Sequence, residues 1–266
     1  MKDRKRVYNF IEIGVICCLC LVTVIFDFVK LEYTRDDLYN RLISKIIQQG
    51  CGAIAGILLL VRLNVRILGK PVNWIYLIPC IIIAIDNFQF SSYFNGEIEF
   101  ARTGVIDISL FASYCFFVGL FEECIFRGVL FSVLAGVFPN NKKGLLLTFV
   151  TSSVIFGAAH LVNGFSLQVG YTILTGGLFA FCLVKTKSIF CCGFIHGLYN
   201  FCGLLLETEA NLGLGNGIVF DLGTVLTMLI VSLLVGGFVV YKIFAYPEEE
   251  RIDLYKRLGI KEIDEK

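Results

Sequence analysis

The chain has 266 residues, of which 57% are hydrophobic and only 17% charged, against about 25% charged in an ordinary soluble domain. The formal net charge is +1, so no basic surface points to nucleic acid, and the apolar residues come in long blocks rather than amphipathic stripes. These features exclude a soluble or nucleic-acid-binding class and assign an all-α membrane protein: a bundle of about eight transmembrane helices.

A helix needs about 20 apolar residues to cross the hydrocarbon core. Eight segments qualify, at 7–28, 48–68, 72–90, 104–138, 144–162, 166–184, 188–206 and 216–245. Lys2, Arg4, Lys5 and Arg6 precede the first run in the manner of a signal peptide. The run is too long for that and lacks a small-x-small cleavage site, so it is read as a retained helix. The third segment carries Pro79, expected to kink it. The fourth is too long for one perpendicular crossing, so its start, around Asp107 to Ser113, lies at the interface or in a tilted helix. The eleven cysteines fall within apolar runs, as with Cys17, Cys18 and Cys20 or Cys191 and Cys192, and read as small hydrophobes.

Loop charge gives an orientation. With the N-terminus cytoplasmic, the even-numbered connections carry Arg62, Arg66 and Lys70, then Lys142 and Lys143, then Lys185 and Lys187. The outer connections carry Glu97 and Glu99 with Arg102, then Asn163, then Glu207 and Glu209; the first outer loop is mixed, with Lys30, Arg35, Arg41 and Lys45 against Glu32, Asp36 and Asp37. An even helix count makes both termini cytoplasmic. Tyr8, Trp74, Tyr76, Tyr241 and Tyr246 then form an inner aromatic belt. Residues 1–246 are expected to form the transmembrane domain. Residues 247–266 form a polar cytoplasmic tail, either a short surface helix or a frayed end whose role is solvation.

Ionisable side chains at the centre of a membrane helix cost about 2.5–3.5 kcal/mol each on insertion scales, so those present call for a reason. Three clusters stand out. In FEECIFRG, Glu123 and Arg127 are spaced i,i+4 and can pair, which leaves Glu122 about 100° away without that partner. An unpaired carboxyl in a dry site suits general acid–base chemistry, whereas an ion pair locking two helices would need only one Glu. In FGAAH, Phe156 and His160 share a face, and Gly157, Ala158 and Ala159 allow close helix approach. In GFIHGLYNF, Gly193, His196, Asn200 and Gly203 form one small, polar stripe. Each histidine taken alone reads as readily as a satisfied core residue or as interhelical glue. Together, two imidazoles, two carboxylates, an amide and a guanidinium make a hydrolytic set. His160 and His196 stand at different depths in their helices, so convergence requires tilted or offset helices.

At these residues the chain resembles the CAAX-protease and bacteriocin-processing (CPBP, Abi) family of intramembrane proteases, of the type II CAAX prenyl endopeptidase kind. The family motifs EExxxR, FxxxH and HxxxN stand here as Glu122-Glu123 with Arg127, Phe156 with His160, and His196 with Asn200. The resemblance covers residues 104–206. It implies an eight-helix bundle that cleaves peptide bonds within the membrane. Its eukaryotic relatives remove the last three residues of prenylated CAAX proteins, and other relatives serve bacteriocin processing or self-immunity. It also implies that Glu122 and His160 activate water, that His196 and Asn200 stabilise the oxyanion, and that Glu123 and Arg127, with Phe156, orient the site.

The expected mechanism is glutamate-type and needs no cofactor. A rival places zinc on Glu122, His160 and His196, with Glu123 as base. Expected partners are membrane lipid and a peptide or lipidated protein substrate, and the expected location is the plasma membrane as a multi-pass protein. A non-proteolytic immunity or partner-binding protein is the alternative reading. A transporter or proton relay is a third, against which stands the lack of repeated halves.

Overall fold

The computed structural model describes residues 32–260 except 89, 96–99, 101, 164–166 and 206–221. The expected first helix, 7–28, lies outside the described residues, as do the loop acids Glu97, Glu99, Glu207 and Glu209. The regular structure is helical throughout, and no strand occurs among the described residues.

Helix α1 runs Asp37–Arg62, starting eleven residues before its expected position. Asp36 sets the start, its Oδ1 accepting from the Leu38 and Tyr39 amides at 2.9 and 3.3 Å. Arg41 and Lys45, which seemed loop charges, therefore ride on the first turns of α1. The helix ends where Asn64 turns left-handed at φ 57°. A single-turn 3-10 segment, Trp74–Tyr76, leads into α2, Leu77–Asp86. Pro79 sits in the first turn of α2, where its missing N–H costs nothing, so it starts a helix rather than kinking one.

After the short α3, Phe90–Phe94, helix α4 runs unbroken over Val105–Val137. Asp107 near its start accepts from the Tyr39 hydroxyl at 2.9 Å, which ties α4 to α1. At mid-length, Cys124–Leu130 widens into a π turn, a distortion frequent at functional sites. Helix α5, Lys142–Ala159, is capped by Asn141 and ends in a 3-10 turn, His160–Asn163. Helices α6 (Leu167–Thr186), α7 (Ile189–Leu204), α8 (Leu222–Phe244) and α9 (Glu248–Arg257) follow.

Four stretches, Asp37–Arg62, Val105–Val137, Lys142–Ala159 and Leu226–Phe244, are long and apolar enough to cross a membrane. Trp74–Asp86, Gly170–Thr186 and Ile189–Leu204 are apolar but shorter. Leu229, Ile230, Leu233 and Leu234 on α8 stand exposed, as a lipid-facing helix requires.

Glycines set the central packing. A Cβ on Gly119 of α4 would lie 2.6 Å from the Gly197 nitrogen and 2.8 Å from the Gly193 oxygen of α7. One on Gly193 would meet the Leu120 Cα at 2.9 Å, and one on Gly197 the Phe116 Cα at 2.8 Å. The α4 and α7 backbones therefore touch, which brings the side chains flanking the crossing into register.

At one end of the bundle the basic connections meet α9. The Val72 amide donates to Thr186 O at 2.9 Å, Ile189 N to Ile67 O at 2.9 Å, and Arg66 N to Arg257 O at 2.6 Å. Lys185 and Lys187 are buried there, with Nζ 3.7 Å from Glu250 and 2.6 Å from Asp253 respectively. Arg251 donates to Asn140. Helix α9 buries Leu254 and Tyr255 completely, so this polar segment docks on the bundle instead of merely solvating its end. Acids in its first turn and Lys256 and Arg257 in its last match the helix dipole.

Candidate active site

The three polar clusters meet around the α4–α7 crossing. Glu123 and Arg127 are wholly buried and lie 3.2 Å apart, Oε2 to Nε. That contact is close but not aligned as a hydrogen bond. The guanidinium is held on two other sides, while Nη1 is buried with no hydrogen-bond partner among the described residues. Nη2 donates to the Gly176 carbonyl of α6 at 2.8 Å, and Cζ lies 4.3 Å from the centre of the Phe156 ring. A buried cation held by a carboxylate, a carbonyl and a ring face avoids much of the cost of an unpaired charge.

Glu123 spends its other oxygen on α7: Oε1 accepts from His196 Nδ1 at 2.9 Å. With Nδ1 bound in this way, Nε2 of His196 faces Glu122, 3.9 Å from Oε2. That separation is too long for a direct hydrogen bond and is one that a water can bridge. Glu122 differs sharply from its neighbour. Its side chain is 27% exposed, yet Oε2 is buried and has no hydrogen-bond partner among the described residues. Two adjacent acidic side chains are thus divided by the helix itself, one locked into the packing and one partly exposed with an unpartnered oxygen.

His160 caps the C-terminal end of α5 and is half-buried. Its Nδ1 lies 2.9 Å from the Phe156 carbonyl, which can only accept, so Nδ1 carries hydrogen and a neutral ring keeps its lone pair on Nε2. The Phe156 ring joins the two imidazoles, with its centre 4.9 Å from that of His160 and 5.8 Å from that of His196. The two imidazoles thus share the Phe156 ring as a common neighbour. Asn200, one turn beyond His196 on α7, is half-buried. Among the described residues, no three His, Cys, Asp or Glu side chains are grouped so as to hold a metal ion.

Several contributors carried no signal in the sequence. Phe179 of α6 stacks on His196 at 4.4 Å and 17°. Gly176, one turn earlier, supplies the carbonyl for Arg127 and leaves room for Phe156, whose Cδ1 would stand 3.0 Å from an added Cβ. Gly119 and Gly197 permit the crossing. Their one visible hint was the small-residue stripe on α7. Of that stripe, Gly193 faces Leu120 and Gly203 faces Asn87.

The architecture is that of a helical membrane protein with a buried Glu–His–Arg network and one unengaged glutamate beside it. Residues 104–202 match the family model described as type II CAAX prenyl endopeptidase Rce1-like. The match makes this stretch Rce1-like and spans every motif residue from Glu122 to Asn200. No curated protein and no solved structure matches the chain.

Proposed function

We propose that the chain is an intramembrane endopeptidase that hydrolyses a peptide bond of a membrane-associated or CAAX-like substrate. The observation that carries this reading is Glu122, whose buried, unpartnered oxygen faces the Nε2 of an imidazole already fixed by Glu123. A water held there has a carboxylate to take its proton, and the lone pair on His160 Nε2 offers a second acceptor at the mouth of the site.

In this mechanism the water oxygen bonds to the scissile carbonyl carbon as Glu122 takes a proton. The developing oxyanion receives N–H groups from Asn200 and from His196 Nε2, the latter when the ring carries both protons and Glu123 balances its charge. The C–N bond then breaks, and the proton held by Glu122 passes to the leaving nitrogen. Glu123, Arg127 and Phe156 orient these groups and do not touch substrate.

The chemistry needs no metal on this reading. Stoichiometric zinc in active protein, lost together with activity on chelation, would overturn that part. The eight-helix bundle with both termini cytoplasmic follows from loop charge, and the meeting of the basic connections with α9 at one end supports it. Placement in the plasma membrane as a multi-pass protein belongs to the same proposal.

The test compares peptide termini, by mass spectrometry, in membranes carrying wild type or Glu122→Gln. Termini present with wild type and gone in the folded, equally abundant variant identify a protease and its substrate. Equal termini would favour an immunity or partner-binding protein.

A further inference from the structure

At the end of the bundle opposite α9, one side chain outside the motifs joins three helices. Asn87 follows the last turn of α2 and is half-buried. Its Nδ2 donates to the Tyr199 carbonyl of α7 at 2.9 Å, and its Oδ1 accepts from the Tyr171 hydroxyl of α6 at 3.3 Å. The amide sits in a notch that only glycine provides, because a Cβ on Gly203, one turn past Tyr199, would run into it. Tyr199 directly precedes Asn200. Its ring stands 6.0 Å from those of Tyr171 and Phe179, and Phe179 stacks on His196. A polar amide at an apolar helix junction costs desolvation that an aliphatic side chain would not, so packing alone does not explain it.

We propose that Asn87 is a positioning residue for the oxyanion site, fixing the rotation of α7 so that the Asn200 amide and the His196 ring are aimed together at the side of α4 that bears Glu122. This rests on the roles given above to Asn200 and His196. A side-chain tip about 6 Å from a helix axis moves about 1 Å when the helix turns about 10°. A misplacement of about 1 Å can cost on the order of 100-fold in rate. The hydrogen bond to Tyr199 acts on the turn that bears Asn200, where such a rotation matters most.

A double-mutant cycle tests this, with wild type, Asn87→Leu, Asn200→Ala and the double variant. The readout is the rate at which wild-type-dependent termini appear in membranes, at several substrate levels and normalised to folded protein. Asn87→Leu is expected to lower kcat about tenfold or more with little change in KM, and to add almost nothing in the Asn200→Ala background. Tyr171→Phe, which removes the hydroxyl that orients the amide and also bonds the Tyr199 side chain, leaves the ring packing in place and is expected to give a smaller loss with the same coupling. Equal losses in both backgrounds would show a purely structural role and overturn the proposal. Asn200→Ala at the wild-type rate would instead remove the oxyanion reading itself, and this inference with it.

Discussion

Gly119→Ala adds a single methyl group where α4 meets α7. On an isolated helix the change is favourable by about 1 kcal/mol, because glycine is the poorer helix former. Here the new Cβ would stand 2.6 Å from the Gly197 nitrogen and 2.8 Å from the Gly193 oxygen, both backbone atoms that cannot rotate aside. Reaching the 3.4 Å of ordinary contact requires the helices to part by about 0.8 Å. Transmitted to the neighbouring turn, that movement stretches the 2.9 Å bond between His196 and Glu123 past the limit of a hydrogen bond. We expect a stability loss of about 1–3 kcal/mol and a fall in activity approaching 100-fold. The assay is release of the wild-type-dependent termini, normalised to folded protein by thermal melting in detergent. Gly136→Ala on the same helix is the control, since nothing lies within 4 Å of its added Cβ, and it should behave as wild type. A Gly119→Ala protein with full activity and an unchanged melting temperature would refute the argument that backbone contact sets the site.

Glu123→Ala strands the buried Arg127 guanidinium and frees His196 Nδ1, and should cost about 3–5 kcal/mol. The double variant Glu123→Leu, Arg127→Leu should melt above that single variant, and a double variant as unstable as the single would contradict the burial argument. At the α9 end, burial alone would raise the Asp253 carboxyl, but the hydrogen bond with Lys187 and the nearby Arg257 outweigh it and hold its pKa below the ordinary carboxylate value. Its contribution to stability is therefore complete above the ordinary carboxylate range and is lost as pH falls through the lowered folded-state value. In melts between pH 6 and pH 3, wild type should lose stability below about pH 4, and Asp253→Asn should lose less over that interval while starting lower. Identical pH profiles would rule out this ion pair as a contributor.

The motif residues were legible because charge in an apolar run is costly and so informative. Glu122, Glu123, Arg127, His160 and His196 stand out against their surroundings by that rule alone; the structure groups Glu122, Glu123, Arg127 and His196, with His160 against the Phe156 ring beside them. Phe179 and Gly176 carry no such mark, since an aromatic or a glycine in an apolar helix looks the same facing lipid as facing a catalytic ring. Pro79 was read by what it forbids, a helix interior, and its equally common place in a first turn was missed. Hydropathy places the start of α1 eleven residues too late because its first turns are polar, and Asp36, read as a loop acid, caps the helix. The docking of α9 depends on Lys187 meeting Asp253 across 66 residues, a pairing no local pattern contains.

The contrast between Glu122 and Glu123 bears on how such a protein can change over generations. Glu123 shares its oxygens between Arg127 and His196 in the interior, so a lineage that gives it up loses stability as well as the proposed chemistry. Glu122 is partly exposed, and its buried Oε2 has no hydrogen-bond partner among the described residues. On the proposed mechanism, a descendant that gives up hydrolysis and keeps the scaffold for another purpose has one inexpensive route: exchange the first glutamate and retain the second. Chains that read XExxxR at this position, with both histidines intact, would then be retired enzymes rather than damaged ones.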